Sequence, residues 1–214
     1  MPRHQHTDAY AAVVLGGGYI ESGIRGRFRV GPGDVLMHAA LDTHLNGFCG
    51  RRTEIFNLFV ERPRSGCWSG RVADPDALVR LAEVDSTAAS IELRAQLAAG
   101  PDGLADWPDL LAARLRENSA QRLDDWAENM GLARETLSRG FKKIYGVTPA
   151  AYRAEARARR ALDLIEQGGL GLAGVAATVG FADQSHMTRA IKALTGAAPS
   201  AWIRTSNPFK TGLQ

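Results

Sequence analysis

Two stretches of this chain, fifty residues apart, are variants of one another. LSRGFKKIYGVTP occupies 137–149 and MTRAIKALTGAAP occupies 187–199. In register they share Arg139/Arg189, Lys142/Lys192, Gly146/Gly196 and Pro149/Pro199, with Leu137/Met187 and Phe141/Ile191 as apolar matches. An amphipathic run closed by Gly and followed by Pro spells a helix and its stop. Carrying it twice at one spacing commits the C-terminal half to a repeated helical unit.

Each copy is preceded by a shorter helical pattern. Leu123, Trp126, Ala127 and Met130 form one apolar stripe before a break at Gly131; Leu172, Val175, Ala176 and Val179 form the other before a break at Gly180. Two short helices joined by a tight Gly-containing turn predict a helix-turn-helix in each copy. In the second helices, Leu137, Phe141, Ile144 and Tyr145, and then Met187, Ile191 and Leu194, make the inward stripes. The opposite faces carry Arg134, Glu135, Ser138, Arg139 and Lys142 in the first copy, and Gln184, Ser185, Thr188, Arg189 and Lys192 in the second. Arg and Gln suit bidentate bonds to base edges, while Ser, Thr and Lys suit phosphate oxygens. The intervening chain is long enough to hold two reading helices a turn of DNA apart, roughly 34 Å.

Charge distribution agrees. The chain carries a formal +3 over 214 residues, but residues 133–160 hold eight basic side chains (Arg134, Arg139, Lys142, Lys143, Arg153, Arg157, Arg159, Arg160) against Glu135 and Glu155. The segment PAAYRAEARARRALDLIEQ, 149–167, reads as one helix with Tyr152, Ala156, Ala158, Leu162 and Ile165 on its apolar face and arginines on the others. Arginines placed there could meet phosphate.

The text LSRGFKKIYGVTPAAY and VAATVGFADQSHMTRAIKALTGAAPSAWI resembles the double helix-turn-helix domain of AraC/XylS-type transcription regulators over 121–204. The resemblance implies base or phosphate contacts from Arg134, Glu135, Ser138 and Arg139, and from Gln184, Ser185, Thr188 and Arg189. It also gives His186 a structural place at the start of its helix. Family members usually have Phe where Met187 and Ile191 stand, and a bulkier residue at Gly140.

Residues 9–60 have another texture. AYAAVVL, YIES, RFRV, VLMHA and TEIFNLFV read as short strands, with GGG at 16–18 as a hairpin turn and GPGD at 31–34 as another. The expected fold is α+β, a small antiparallel β-domain at 1–62 followed by an all-α double helix-turn-helix domain at 121–206. Helices start at Asp74-Pro75, Ser86-Thr87 and Trp107-Pro108. Residues 63–120 therefore read as a helical linker, and its helices could pair two chains in a homodimer.

The β-region resembles a cupin-like barrel of the kind joined to such DNA domains as a ligand sensor. GPGD, a strand and His44 resemble the second cupin motif, and His4-Gln5-His6 resembles the start of the first. In a metal cupin His4, His6 and His44 would converge, since residues two apart on a strand share a face. Imidazole suits a divalent transition metal such as Zn, Fe, Ni or Cu. Tyr10 and Ala11 stand where the first motif has its Glu. His38 counts to the opposite strand face and is set aside.

Two cysteines, Cys49 and Cys67, are too few for a disulfide framework and read as free thiols. No apolar run approaches the roughly 20 residues of a membrane span, and MPRHQHTDAY lacks an apolar signal core, so a cytoplasmic protein is expected. Neither a Ser/His/Asp set nor a phosphate-binding loop is present, which argues against an enzyme. The expected partners are double-stranded DNA, a small-molecule effector and, for an activator, RNA polymerase. The competing reading is a metal-dependent cupin enzyme with a helical interaction domain.

Overall fold

The computed structural model describes residues 1–50, 52–60, 68–117 and 121–205. Two compact units are formed: Met1–Asp109 with Lys143–Gly146, and Leu110–Lys142 with the chain from Val147 onward.

The first unit has strands β1 (His4–Gln5), β2 (Tyr10–Gly16), β3 (Tyr19–Gly23), β4 (Gly26–Val30), β5 (Asp34–His38), β6 (Thr43–Phe48), β7 (Glu54–Phe59) and β8 (Ser69–Arg71), then helices α1 (Pro75–Val84) and α2 (Ser86–Gln96) and strand β9 (Ala98–Ala99). One antiparallel sheet runs β1-β6-β3-β4 and the other β7-β2-β5-β8-β9. Strand alternation explains how they pack. On β2 and β5, Val14 and Leu36 meet Tyr19 and Val30 of the other sheet in one buried cluster. The alternate residues Ala11, Val13, Val35 and Met37 join Leu78 of α1 and Ala89 and Leu93 of α2 in a second. The five-stranded sheet is thus apolar on both faces, which accounts for the unbroken run AYAAVVL.

This arrangement changes three expectations. Because β2 and β3 lie in different sheets, GGG is a corner between sheets and not a hairpin turn; Gly17 takes φ +69° there. The β-domain does not stop at residue 62, for β8 and β9 extend its sheet, and α1 and α2 complete its core. The stretch from Trp68 to Asp109 therefore belongs to the first unit and is not a linker. Residues 61–67, with Cys67, lie outside the described residues, and Cys49 is a free, exposed thiol.

GPGD is tied down by its aspartate. Asp34 accepts from the Gly31 N–H at 2.9 Å and pairs with Arg71 at 2.6 Å. Arg27 is buried between Asp109, at 2.8 Å, and Asp106, at 2.5 Å.

The second unit contains most of α3 (Trp107–Glu117), then α4 (Leu123–Asn129), α5 (Arg134–Tyr145, to Lys142 in this unit), α6 (Pro149–Gln167), α7 (Leu172–Val179), α8 (Gln184–Thr195) and α9 (Pro199–Thr205). Helix α6 starts at a Thr148 cap with Pro149 in its first turn, and α7, α8 and α9 all pack on it. Tyr152 is fully buried, lies edge-on to Phe141 at 5.4 Å, and accepts from Arg116 at 2.8 Å. Among the described residues no helix is long and apolar enough to cross a membrane.

Candidate nucleic-acid interface and histidine pocket

Both helix-turn-helix units form where the repeat places them. In the first, Gly131 takes φ +63° between α4 and α5; in the second, Gly180 takes φ +78° between α7 and α8. A residue with a Cβ is strained in that region, so glycine is what allows the sharp turn. Asp183 caps α8 by accepting from the His186 N–H at 2.6 Å, and the His186 ring stands edge-on to Phe181 at 5.2 Å.

The inward stripes are Leu137, Phe141 and Tyr145 on α5 and Met187 and Ile191 on α8, each fully buried, with Ile144 and Leu194 half-buried. Met130 is an exception: it is exposed at the end of α4. On the opposite faces Arg134, Glu135, Arg139 and Lys142, then Gln184, Ser185, Arg189 and Lys192, are exposed, while Ser138 and Thr188 are half-buried. Arg134 pairs with Asp124, and Arg139 leans back on the Glu135 carbonyl at 3.4 Å.

The arginines of α6 behave differently from the sequence reading. Arg153 donates to the Gln121 carbonyl at 2.6 Å, Arg157 to the Gly180 carbonyl at 2.9 Å, and Arg159 pairs with Glu155 at 3.1 Å. These three are half-buried struts; Arg160 alone of the four is exposed.

Residues 126–205 match the family model described as a helix-turn-helix domain. This segment is a helix-turn-helix domain. An uncharacterized HTH-type transcriptional regulator of Escherichia coli, YidL, is 34% identical over 103 residues, covering 47% of this chain and 35% of that protein. The HTH-type transcriptional regulator RipA of Corynebacterium glutamicum is 38% identical over 80 residues, 37% of this chain and 24% of that protein. The chain thus spans about a quarter to a third of the length of these relatives. The structure of ToxT from Vibrio cholerae aligns over 94% of this chain and 91% of that one at 11% identity, with a TM-score of 0.44.

Outside the helix-turn-helix segment, a further cluster of chemistry-bearing side chains lies between the two sheets of the first unit. Parity brings it together. Strand β1 pairs His4 opposite His44 of β6, and His44 stands opposite Gly23 of β3, two residues from Glu21. On β5, His38 shares the inner face with Leu36 and pairs opposite Tyr10. His4, His6 and His44 bring one donor atom each within 4.8 Å of one another. So do Glu21, His38 and His44, and these three are all buried.

His38 is thus a pocket residue and not an outward one. The error was one of parity, since the face of β5 depends on which sheet it joins. A carboxylate does stand beside them: Glu21, from a strand no motif singled out, is buried next to His38 and His44. Tyr10 instead stacks on the His38 ring, 4.5 Å between centroids.

Burial dominates the electrostatics of the pocket. Burial pushes the Glu21 carboxyl up to about 8, with the Asp42 charge adding to it. Burial, then the neighbouring His6, His4 and Arg25, drives His38 down to about 3; burial, then the other imidazoles and Arg3, drives His44 down to about 2. The rings are neutral and offer lone pairs at ordinary pH. Asp42 is already engaged, accepting two bonds from Arg25 at 2.9 and 3.1 Å and one from the Ala39 N–H. Arg25 lies over the Trp68 ring at 3.6 Å.

Proposed function

We propose that this protein is a sequence-specific DNA-binding transcription regulator, which sets α5 and α8 into successive major-groove segments of one duplex. The observation that carries this reading is the repeated unit itself. In both copies a buried apolar stripe holds the second helix, and the opposite face leaves Arg139 and Lys142, or Arg189 and Lys192, exposed. Arg134, Glu135 and Ser138 complete the first face, and Gln184, Ser185 and Thr188 the second. Arginine and glutamine there would read base edges; lysines and hydroxyls would fix register on phosphates. The relatives described as HTH-type transcriptional regulators support the same reading.

The first unit is the sensing part in this proposal, and its effector site is the pocket of Glu21, His38 and His44 with His4 and His6 beside it. A second copy of the chain and, for an activator, RNA polymerase are the protein partners that the reading entails.

Exposing the full chain to a random pool of duplexes and sequencing the bound fraction tests this. The expected result is one enriched motif with two elements about 10 base pairs apart. A bound fraction with the composition of the input pool would overturn it.

A further inference from the structure

The space bounded by Glu21, Gly23, Arg25, His38, Asp42 and His44 has a volume of about 10 Å³. That is room for one water-sized sphere, whereas sites for organic ligands run to roughly 300–1,000 Å³. Its polar lining is under-satisfied. His38 Nε2 and His44 Nδ1 are buried with no hydrogen-bond partner, and His38 Nε2 stands 3.7 Å from Glu21 Oε2, beyond bonding reach. A buried polar atom without a partner is costly, so two such imidazole nitrogens beside a buried carboxylate call for an occupant.

We propose that the first unit binds one divalent transition-metal ion between its sheets, ligated by His38, His44 and Glu21. The donor atoms lie within 4.8 Å of one another. Metal–nitrogen and metal–oxygen bonds of about 2.0–2.2 Å bring such donors to roughly 3–3.5 Å apart, so small side-chain rotations close the set. Two imidazoles and a carboxylate suit Zn, Fe(II) or Co(II), not Mg or Ca. Supporting contacts are in place. Tyr10 stacks on His38 and holds its plane, and the Asn46 amide, turned with its nitrogen to Glu21, donates to Oε2 at 3.3 Å. Gly23 makes the room: a Cβ there would come within 2.9 Å of His44 Cβ.

His4 and His6 form an alternative set through the shared His44, but both are half-buried on the outer side. His4 already uses Nδ1 on the Pro2 carbonyl at 2.8 Å. His38 Nε2 and His44 Nδ1, both buried without a partner, belong together only in the buried set, which decides the assignment. This inference concerns the first unit alone and does not depend on the DNA reading.

Full-length protein stripped with a chelator and titrated with Co(II), followed by visible d–d absorption and by Zn(II) competition, tests it. The expected outcome is saturation near one Co(II) per chain, reversed by Zn(II), with Glu21→Gln and His38→Ala each weakening Co(II) at least about tenfold. His4→Ala should weaken it less. Absence of a d–d band in the wild type overturns the site. So does a result in which His4→Ala and His6→Ala abolish binding while Glu21→Gln does not. Glu21→Gln is isosteric, and near-ultraviolet circular dichroism confirms that it is folded, so the test stands even if His38→Ala fails to fold. DNA binding by the same preparations is scored separately, so loss of metal with DNA binding intact leaves the regulator proposal standing.

Discussion

The Arg157 guanidinium donates through Nη1 to the Gly180 carbonyl at 2.9 Å and lies over the Phe181 ring, 5.0 Å from its centroid. It therefore ties the long helix α6 to the turn of the second helix-turn-helix. The bond lies at an exposed site, where its net contribution is about 0.5–1.5 kcal/mol. Arg157→Ala should lower the melting temperature by a few degrees while leaving the salt slope of DNA binding unchanged. An unchanged melt with a slope reduced by about one would show a phosphate contact instead.

Arg189 is exposed on the face opposite Met187 and Ile191. Arg189→Ala should weaken binding to the selected duplex by about 1–3 kcal/mol, that is roughly 5- to 150-fold, and relax preference at one base position. Anisotropy titrations against the selected and a scrambled duplex measure both effects. Equal losses on the two duplexes would place Arg189 on the backbone.

The turn of the second unit rests on two local devices. Asp183 caps α8 by bonding the His186 N–H, and Gly180 sits at φ +78°. Asp183→Ala should cost about 0.5–2 kcal/mol, and Gly180→Ala about 1–2 kcal/mol, both read as loss of thermal stability. Gly174→Ala, in the first turn of α7 with no close neighbour but Leu170, is the control and should be neutral or stabilising.

Leu93 of α2 is fully buried in the β-domain core, whereas Ile91, two residues away, is 65% exposed. Leu93→Ala should destabilise the first unit by about 2–5 kcal/mol, and Ile91→Ala should stay within about 0.5 kcal/mol. Chemical denaturation followed by Trp fluorescence separates them. A neutral Leu93→Ala would return α2 to the role of a linker.

The helix-turn-helix units were legible because their signals are local. Apolar residues three and four apart, a glycine at each break, Asp183 as a cap and Pro149 after a turn all act within one or two helical turns, and the repeat doubled each of them. The α6 arginines were not legible. A helical wheel places Arg153 and Arg157 away from the apolar stripe, but other parts of the unit close over that face and supply the carbonyls of Gln121 and Gly180. The β-region was read in part. Its main strands were evident from alternation, while β1, β6, β8 and β9 were short or polar and carried too little pattern.

By itself, then, the amino-acid order determined the two helix-turn-helix units, their inward stripes and their exposed basic faces, since helix periodicity is set by neighbours along the chain. Its resemblance to cupin motifs also brought His4, His6 and His44 to notice. Only the tertiary structure decided that Glu21 and His38 join His44. Which side of a strand faces the interior depends on its partners in the sheet, and β3, β5 and β6 meet across two sheets rather than along one segment.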